Sequence, residues 1–172
     1  AVLGTAGGAM EPLVMRVVRA SEGSPAPRGA WLAIGNFDGL HAGHRRLVAE
    51  LTERARDDGA EAAIMTFTPH PAAVLSPRGA PARLLSEAQQ EEILASWGVD
   101  VLLRWRFDAA FAALTAEEFV RSVLLGELGV RGVVVGRSFA FGRDRAGAFA
   151  ALQRLLAAGD ARAVAVDPVE AA

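Results

Sequence analysis

Residues 35–44 read Gly-Asn-Phe-Asp-Gly-Leu-His-Ala-Gly-His. They follow a short apolar run, Trp31-Leu32-Ala33-Ile34, and open a segment with helical periodicity. Two imidazoles three residues apart share one face of a helix's first turn. The unpaired N–H groups and the positive dipole end belong to that same turn. Glycines at 35, 39 and 43 permit tight bends and close backbone approach. A phosphate chain is the ligand that such an arrangement suits. The chain has three histidines, His41, His44 and His70. The third lies in Thr66-Phe67-Thr68-Pro69-His70-Pro71, where the prolines prevent regular structure.

Composition narrows the chemistry. All 18 basic residues are arginine, which excludes a catalytic lysine, a Schiff base and a Walker-type phosphate loop. With no cysteine there is no disulfide, thiol nucleophile or thiolate metal site, and a reducing compartment fits. A net charge of −2 gives no basic signal for nucleic acid. At 172 residues with 52% apolar content, one domain with a sizeable core is expected. No apolar run approaches the roughly 18–20 residues of a membrane span. The segment Ala1–Met10 lacks the basic start of a signal peptide. The expectation is a soluble cytoplasmic protein, with 1–14 a loose N-terminal extension and 15–172 the folded domain.

The elements that must position these residues alternate. Apolar runs predict strands over Met15–Ala20, Trp31–Gly35, Ala62–Phe67, Val99–Leu103, Gly132–Val135 and Ala163–Val166. Helical spacing covers His41–Asp58, with Leu47, Val48, Leu51 and Ala55 on one side. Ser86 with Gln89, and Thr115 with Glu118, are capping boxes for two more helices. These end at Gly98 and near Leu128-Gly129, and a last helix covers Ala148–Ala158. Continuous apolar strands alternating with helices predict an α/β fold, a Rossmann-like open parallel sheet with helices on both faces. The loops after Ile34, Phe67 and Val135 would then converge beyond the strand ends.

The Gly35–His44 segment resembles the HxGH signature of the nucleotidyltransferase superfamily. Thr66–Pro71 resembles the Phe-x-Pro-His-Pro segment of bacterial FAD synthetases. Gly98-Val99-Asp100, Arg106-Phe107-Asp108, Phe111–Thr115, Glu118-Phe119 and Val133–Arg143 follow that family's spacing. The resemblance extends from about Met15 to Leu156. It implies the FMN adenylyltransferase half of a protein usually fused to a riboflavin kinase module. The implied reaction joins ATP and FMN to give FAD and pyrophosphate, with Mg²⁺ accompanying the ATP. It assigns catalysis to His41 and His44. ATP binding falls to Gly35, Asn36, Phe37, Asp38, Gly39, Gly43 and both histidines. Flavin binding falls to Phe67, Pro69, His70, Pro71, Ser138, Phe139 and Phe141. Arg137, Arg143 and Arg145 are read as a phosphate clamp, and no metal ligand is assigned.

This sequence departs from the family pattern at Ser138, usually Asp or Asn, at Ala148, commonly acidic, and at Thr68, commonly Asp. The family's later Ser-Ser-Thr-x-x-Arg segment does not occur before Ala172, nor does the kinase module. The expectation is therefore a weak or inactive adenylyltransferase. Its alternatives are a non-catalytic nucleotide- or flavin-binding remnant and a cytidylyltransferase-type enzyme with another phosphorylated acceptor.

Overall fold

The computed structural model describes residues 14–19, 26–76, 78 and 82–167. The apolar runs form strands β1 (Arg16–Arg19), β2 (Trp31–Ile34), β3 (Ala62–Thr68), β4 (Val101–Arg106), β5 (Gly132–Gly136) and β6 (Arg162–Val166). All pair in parallel, in the order β1-β4-β3-β2-β5-β6. The fold is the α/β open parallel sheet that the alternation of elements predicts. Strand order reverses at β2, which has β3 on one side and β5 on the other. Ligands of such folds bind beyond the carboxyl ends of the strands at this point.

The inner strands are mostly apolar because both of their faces are covered, with Thr66 and Arg104 as buried polar exceptions. Trp31, Ala33, Ile64, Leu102 and Val134 enter one core with Leu47, Val48 and Leu51 of α1 (Ala42–Asp57). Leu94 of the later helix Glu87–Ser96 joins them. The alternate positions Leu32, Ile34, Met65, Leu103, Val133 and Val135 enter the other core. There they meet Phe119, Val120, Val123 and Leu124, with Leu152, Leu155 and Leu156 from the helix near the C-terminus. The period-2 alternation of a strand thus feeds two separate helix layers.

Between β3 and β4 lie α2 (Pro71–Leu75) and α3 (Glu87–Ser96). A one-turn helix, α4 (Ala109–Ala112), follows β4 and is capped by the Asp108 carboxylate on the Phe111 N–H at 2.8 Å. The helix predicted from Thr115 begins as α5 (Ala116–Glu118), but its body, Phe119–Glu127, is wound as a π-helix. Its end is marked by the Leu128 N–H donating to the Val123 carbonyl at 3.0 Å. Over two turns, an apolar stripe cannot distinguish this wider winding from an α-helix. The final helix, α6 (Phe149–Ala157), precedes β6.

Residues 1–13, read from sequence as part of the extension, lie outside the described residues. Val14 is exposed, and Met15 is buried in the α1-side core. Among the described residues no helix is long and apolar enough to cross a membrane.

The base of α1 is tied to the sheet. Asp58, its C-cap, accepts the Trp31 indole N–H at 2.7 Å and Arg162 Nη2 at 2.5 Å. These bonds, the indole's first, hold the Asp58 carboxyl below its usual range. The Trp31 ring is fully buried and lies over Gly132 of β5, where a Cβ would come within 2.3 Å of it. We expect Gly132→Ala to overpack this contact and lower stability by about 1–3 kcal/mol. Chemical denaturation followed by tryptophan fluorescence reads this directly. An unchanged midpoint would show that the ring has room to move.

Candidate active site

The loop from β2 to α1 carries the first motif. Its entry is anchored in the sheet, since the Gly35 N–H donates to the Met65 carbonyl at 3.1 Å. A Cβ on Gly35 would press on the Phe37 ring at 3.2 Å. Phe37 itself is buried and has φ +51°, a left-handed bend that a bulky side chain rarely adopts. Gln90 of α3 donates its amide N–H groups to the Phe37 carbonyl at 3.0 Å and the Asn36 carbonyl at 3.2 Å. The Asp38 carboxylate accepts the N–H groups of Leu84 and Leu85 at 3.1 and 3.2 Å. Asp38 therefore braces the loop. At Gly39, with φ +66°, a Cβ would meet the Leu84 side chain at 2.7 Å.

The loop delivers His41 to the N-cap of α1. His41 Nδ1 accepts the Gly43 N–H at 3.1 Å, and His44 Nδ1 accepts the His41 N–H at 3.4 Å. Each imidazole thus caps the backbone with one nitrogen. A neutral ring bonded in this way carries its proton on Nε2 and offers it as a donor. The two rings stack with centroids 3.9 Å apart, and Phe37 lies 5.1 Å from His44. Gly43 makes room for the stack, because a Cβ there would sit 2.9 Å from the His41 ring. His41 is exposed and His44 half-buried. Burial first, and then the neighbouring His41, lower the His44 pKa from 6.5 to about 4. Near neutrality His44 is therefore an uncharged ring set in the first turn of a helix.

The second motif follows β3. The Thr68–Pro69 peptide is cis, and His70 caps α2 with its Nδ1 accepting the Ala72 N–H at 3.0 Å. Pro71 opens that helix. Phe67 joins a run of rings. It contacts Phe107 and Phe111 at 5.7 Å, Phe111 contacts Phe119, Phe119 contacts Phe141, and Phe141 stacks on Phe139. The run leads from the end of β3 to the loop after β5. Phe141 is buried in the core with its ring 9° from parallel to that of Phe139. Of the two rings that the resemblance assigns to flavin binding, Phe139 is half-buried and Phe141 lies behind it. Ser138 is exposed at the same loop.

The three arginines of this loop differ. Arg137 is paired with Asp167, just after β6, which raises the guanidinium pKa and lowers the carboxyl's. Arg143 and Arg145 are exposed on the short 3₁₀ turn Arg143–Arg145. Gly142, with φ +77°, starts that turn against Ala116, whose backbone nitrogen would be 2.6 Å from a Cβ.

An open cleft joins the first two motifs. Asn36 and Asp38 line it from the β2 loop, Thr66 and Phe67 from β3, His70 from the cap of α2, Gln90 from α3 and Arg104 from β4. The Thr66 hydroxyl there is buried without a hydrogen-bond partner among the described residues. Sequence reading missed Gln90 and Arg104. The available signal was a charge at 104 inside the apolar strand Val101-Leu102-Leu103, since a buried charge needs partners.

Comparison with known proteins gives the family of this chain. The family model described as FAD synthetase matches residues 24–172. The chain belongs to the FAD synthetase family. Curated relatives include a bifunctional riboflavin kinase/FMN adenylyltransferase from Escherichia coli, strain K12, 43% identical over 132 residues. A protein of the same description from Pseudomonas fluorescens is 42% identical over 129 residues. The E. coli alignment covers 76% of this chain and 42% of that relative. For P. fluorescens the shares are 75% and 41%. The chain thus spans about two fifths of the length of these relatives. Among solved structures, one described as a macrolide-efflux protein from Streptococcus pneumoniae superposes with a TM-score of 0.78. It is 27% identical, with 91% of this chain and 51% of that chain covered. The stacked histidines and both proline-flanked and glycine-rich loops of this FAD synthetase family member fall inside the matched region.

The half-buried, neighbour-shifted His44 sets a pH dependence. Its folded pKa lies below the ordinary value, so the unfolded chain binds the extra proton between the two. The stability tied to a neutral His44 is present above about pH 6.5 and is lost as pH falls toward about 4. We expect an NMR titration of the imidazole carbon protons to give one midpoint near 4. In His41→Ala that midpoint should rise but stay below 6.5, because burial is the larger cause. A wild-type midpoint at or above 6.5 would refute the half-buried placement.

Proposed function

We propose that this chain transfers AMP from ATP to FMN, yielding FAD and pyrophosphate. The observation that carries the reading is the stacked His41–His44 pair at the N-terminus of α1, in a chain of the FAD synthetase family. A phosphate oxygen of FMN attacks the α-phosphorus of ATP in line. The bond from that phosphorus to the bridging oxygen of pyrophosphate breaks, and the electron pair leaves with pyrophosphate. The two Nε2–H donors face the charge that grows on the nucleotide phosphates, supported by the helix dipole. Being fixed by their caps, they need little reorganisation during the step.

The other assignments follow the same reading. Asn36, Gly39 and Gly43 line the nucleotide side. Gly35, Phe37 and Asp38 support it through the backbone, the ring and the Leu84–Leu85 bonds. Phe67, Pro69, His70 and Pro71 wall the flavin side, Phe139 backed by Phe141 offers ring surface, and Ser138 offers a hydroxyl. Arg143 and Arg145 supply exposed cations for the phosphates, while Arg137 contributes through its pair with Asp167. Among the described residues no group of three His, Asp or Glu side chains converges to hold an ion. Mg²⁺ would accompany the ATP. A cytoplasmic setting suits the cysteine-free composition.

The test is FAD formation, followed by chromatography, from FMN and ATP–Mg²⁺, with CTP in parallel. ATP should support product and CTP should not. His41→Ala and His44→Ala should each lower the rate by about 10²–10³-fold, as for a lost transition-state donor. Their circular dichroism should match the parent. Full rates in both variants, or nucleotide transfer from CTP alone, would overturn the reading.

A further inference from the structure

The loop that aims the histidines is tied from behind. We propose that Arg104 and Gln90 act as positioning residues, a two-step clamp that holds the Phe37 bend and through it the His44 ring. Arg104 stands near the end of β4 and is 5% exposed, and Gln90 on α3 is 8% exposed. Arg104 Nη1 donates to Gln90 Oε1 at 2.9 Å. The Gln90 amide nitrogen then donates to the Asn36 and Phe37 carbonyls.

This orientation has no alternative. Guanidinium offers only donors and the two carbonyls only acceptors, so a reversed carboxamide would face both mismatched. Arg104 is itself oriented by Glu91 Oε1 at 3.1 Å and by Glu87, whose Oε2 is 3.9 Å from Nε. The clamp acts where the backbone needs it. Phe37 carries a side chain in the left-handed region, and such a bend persists only when its surroundings over-determine it. The carbonyl held by Gln90 belongs to the residue whose ring meets His44. The path from β4 to the imidazole pair is thus contiguous: guanidinium, carboxamide, peptide, phenyl ring, imidazole.

The importance of this clamp for turnover rests on the nucleotide-transfer reading, but its effect on His44 does not. The experiment therefore has two readouts in Gln90→Met, which keeps volume and removes both polar functions. The first is the His44 titration midpoint by NMR. The second is the rate of FAD formation. Gln90→Glu is the second variant. It keeps the partner for Arg104 but sets an oxygen against the two carbonyls. Leu156→Val, in the opposite core, is the control for a general loss of stability.

With the clamp broken, His44 should gain solvent and its midpoint should rise by about one unit or more toward 6.5. The FAD-forming rate should fall by about ten- to a hundredfold, as expected for a displaced catalytic geometry. The control should leave both unchanged, and Arg104→Lys should retain most of the parent midpoint by keeping one donor to Gln90. A parent-like His44 midpoint in a folded Gln90→Met or Gln90→Glu protein overturns the clamp, whatever the rate does. A shifted midpoint in a chain that forms no FAD upholds the clamp and overturns the reaction.

Discussion

The imidazole nitrogens that cap α1 set the terms for the rest of the site. A helix start leaves N–H groups without partners, and here two of the nearby N–H groups, those of His41 and Gly43, are taken by histidine Nδ1 atoms. In a neutral ring the same bonds select the tautomer and leave the remaining proton on Nε2. Capping and the stacking of the two rings are thereby one structural fact. The glycine at 43 is its steric condition, and the left-handed Phe37 is its geometric one. A helix with an ordinary Ser or Asp cap would be as well capped. It would not stack two imidazoles at the helix start.

The sheet provides the platform on which that cap becomes useful. Its strands are parallel, with the inner ones buried on both faces, so their carboxyl ends lie on one side of the sheet. The β2, β3 and β5 loops are neighbours because β2 lies between β3 and β5. The aromatic run from Phe67 to Phe139 then joins the second loop to the third along one core. It explains why Phe141 faces inward. A ring behind the surface keeps the surface ring in place, and near-parallel stacking is a favourable way to do so.

Charge follows the same division of labour. In a chain whose cations are all arginine, several guanidiniums are structural. Arg162 joins Asp58 and lies 5.0 Å over the Trp31 ring, Arg137 joins Asp167, and Arg104 is buried among α3 side chains. The planar fork suits these multiple partners better than an ammonium would. Arg143 and Arg145 remain on an exposed turn, where a cation is screened but accessible.

The linear order of residues determined most of the architecture. Apolar runs alternating with amphipathic stretches left few options besides a parallel sheet between helices, and the strand and helix assignments agree with the fold to within one or two residues at most ends. The spacing of His41 and His44 brought them to one turn, because three residues in a helix are always neighbours. Local periodicity could not reveal the π winding of Phe119–Glu127 or the one-turn α4, since neither changes the apolar pattern over so short a span. Nor could it separate Phe139 from Phe141, or a bracing Asp38 from one facing a ligand. Those outcomes depend on what packs opposite each side chain, and the partners lie 46 residues away at Leu84 and 54 at Gln90. Contacts so distant along the chain exist only after the sheet has closed, so tertiary packing alone decided which polar groups support the site and which remain open to a substrate.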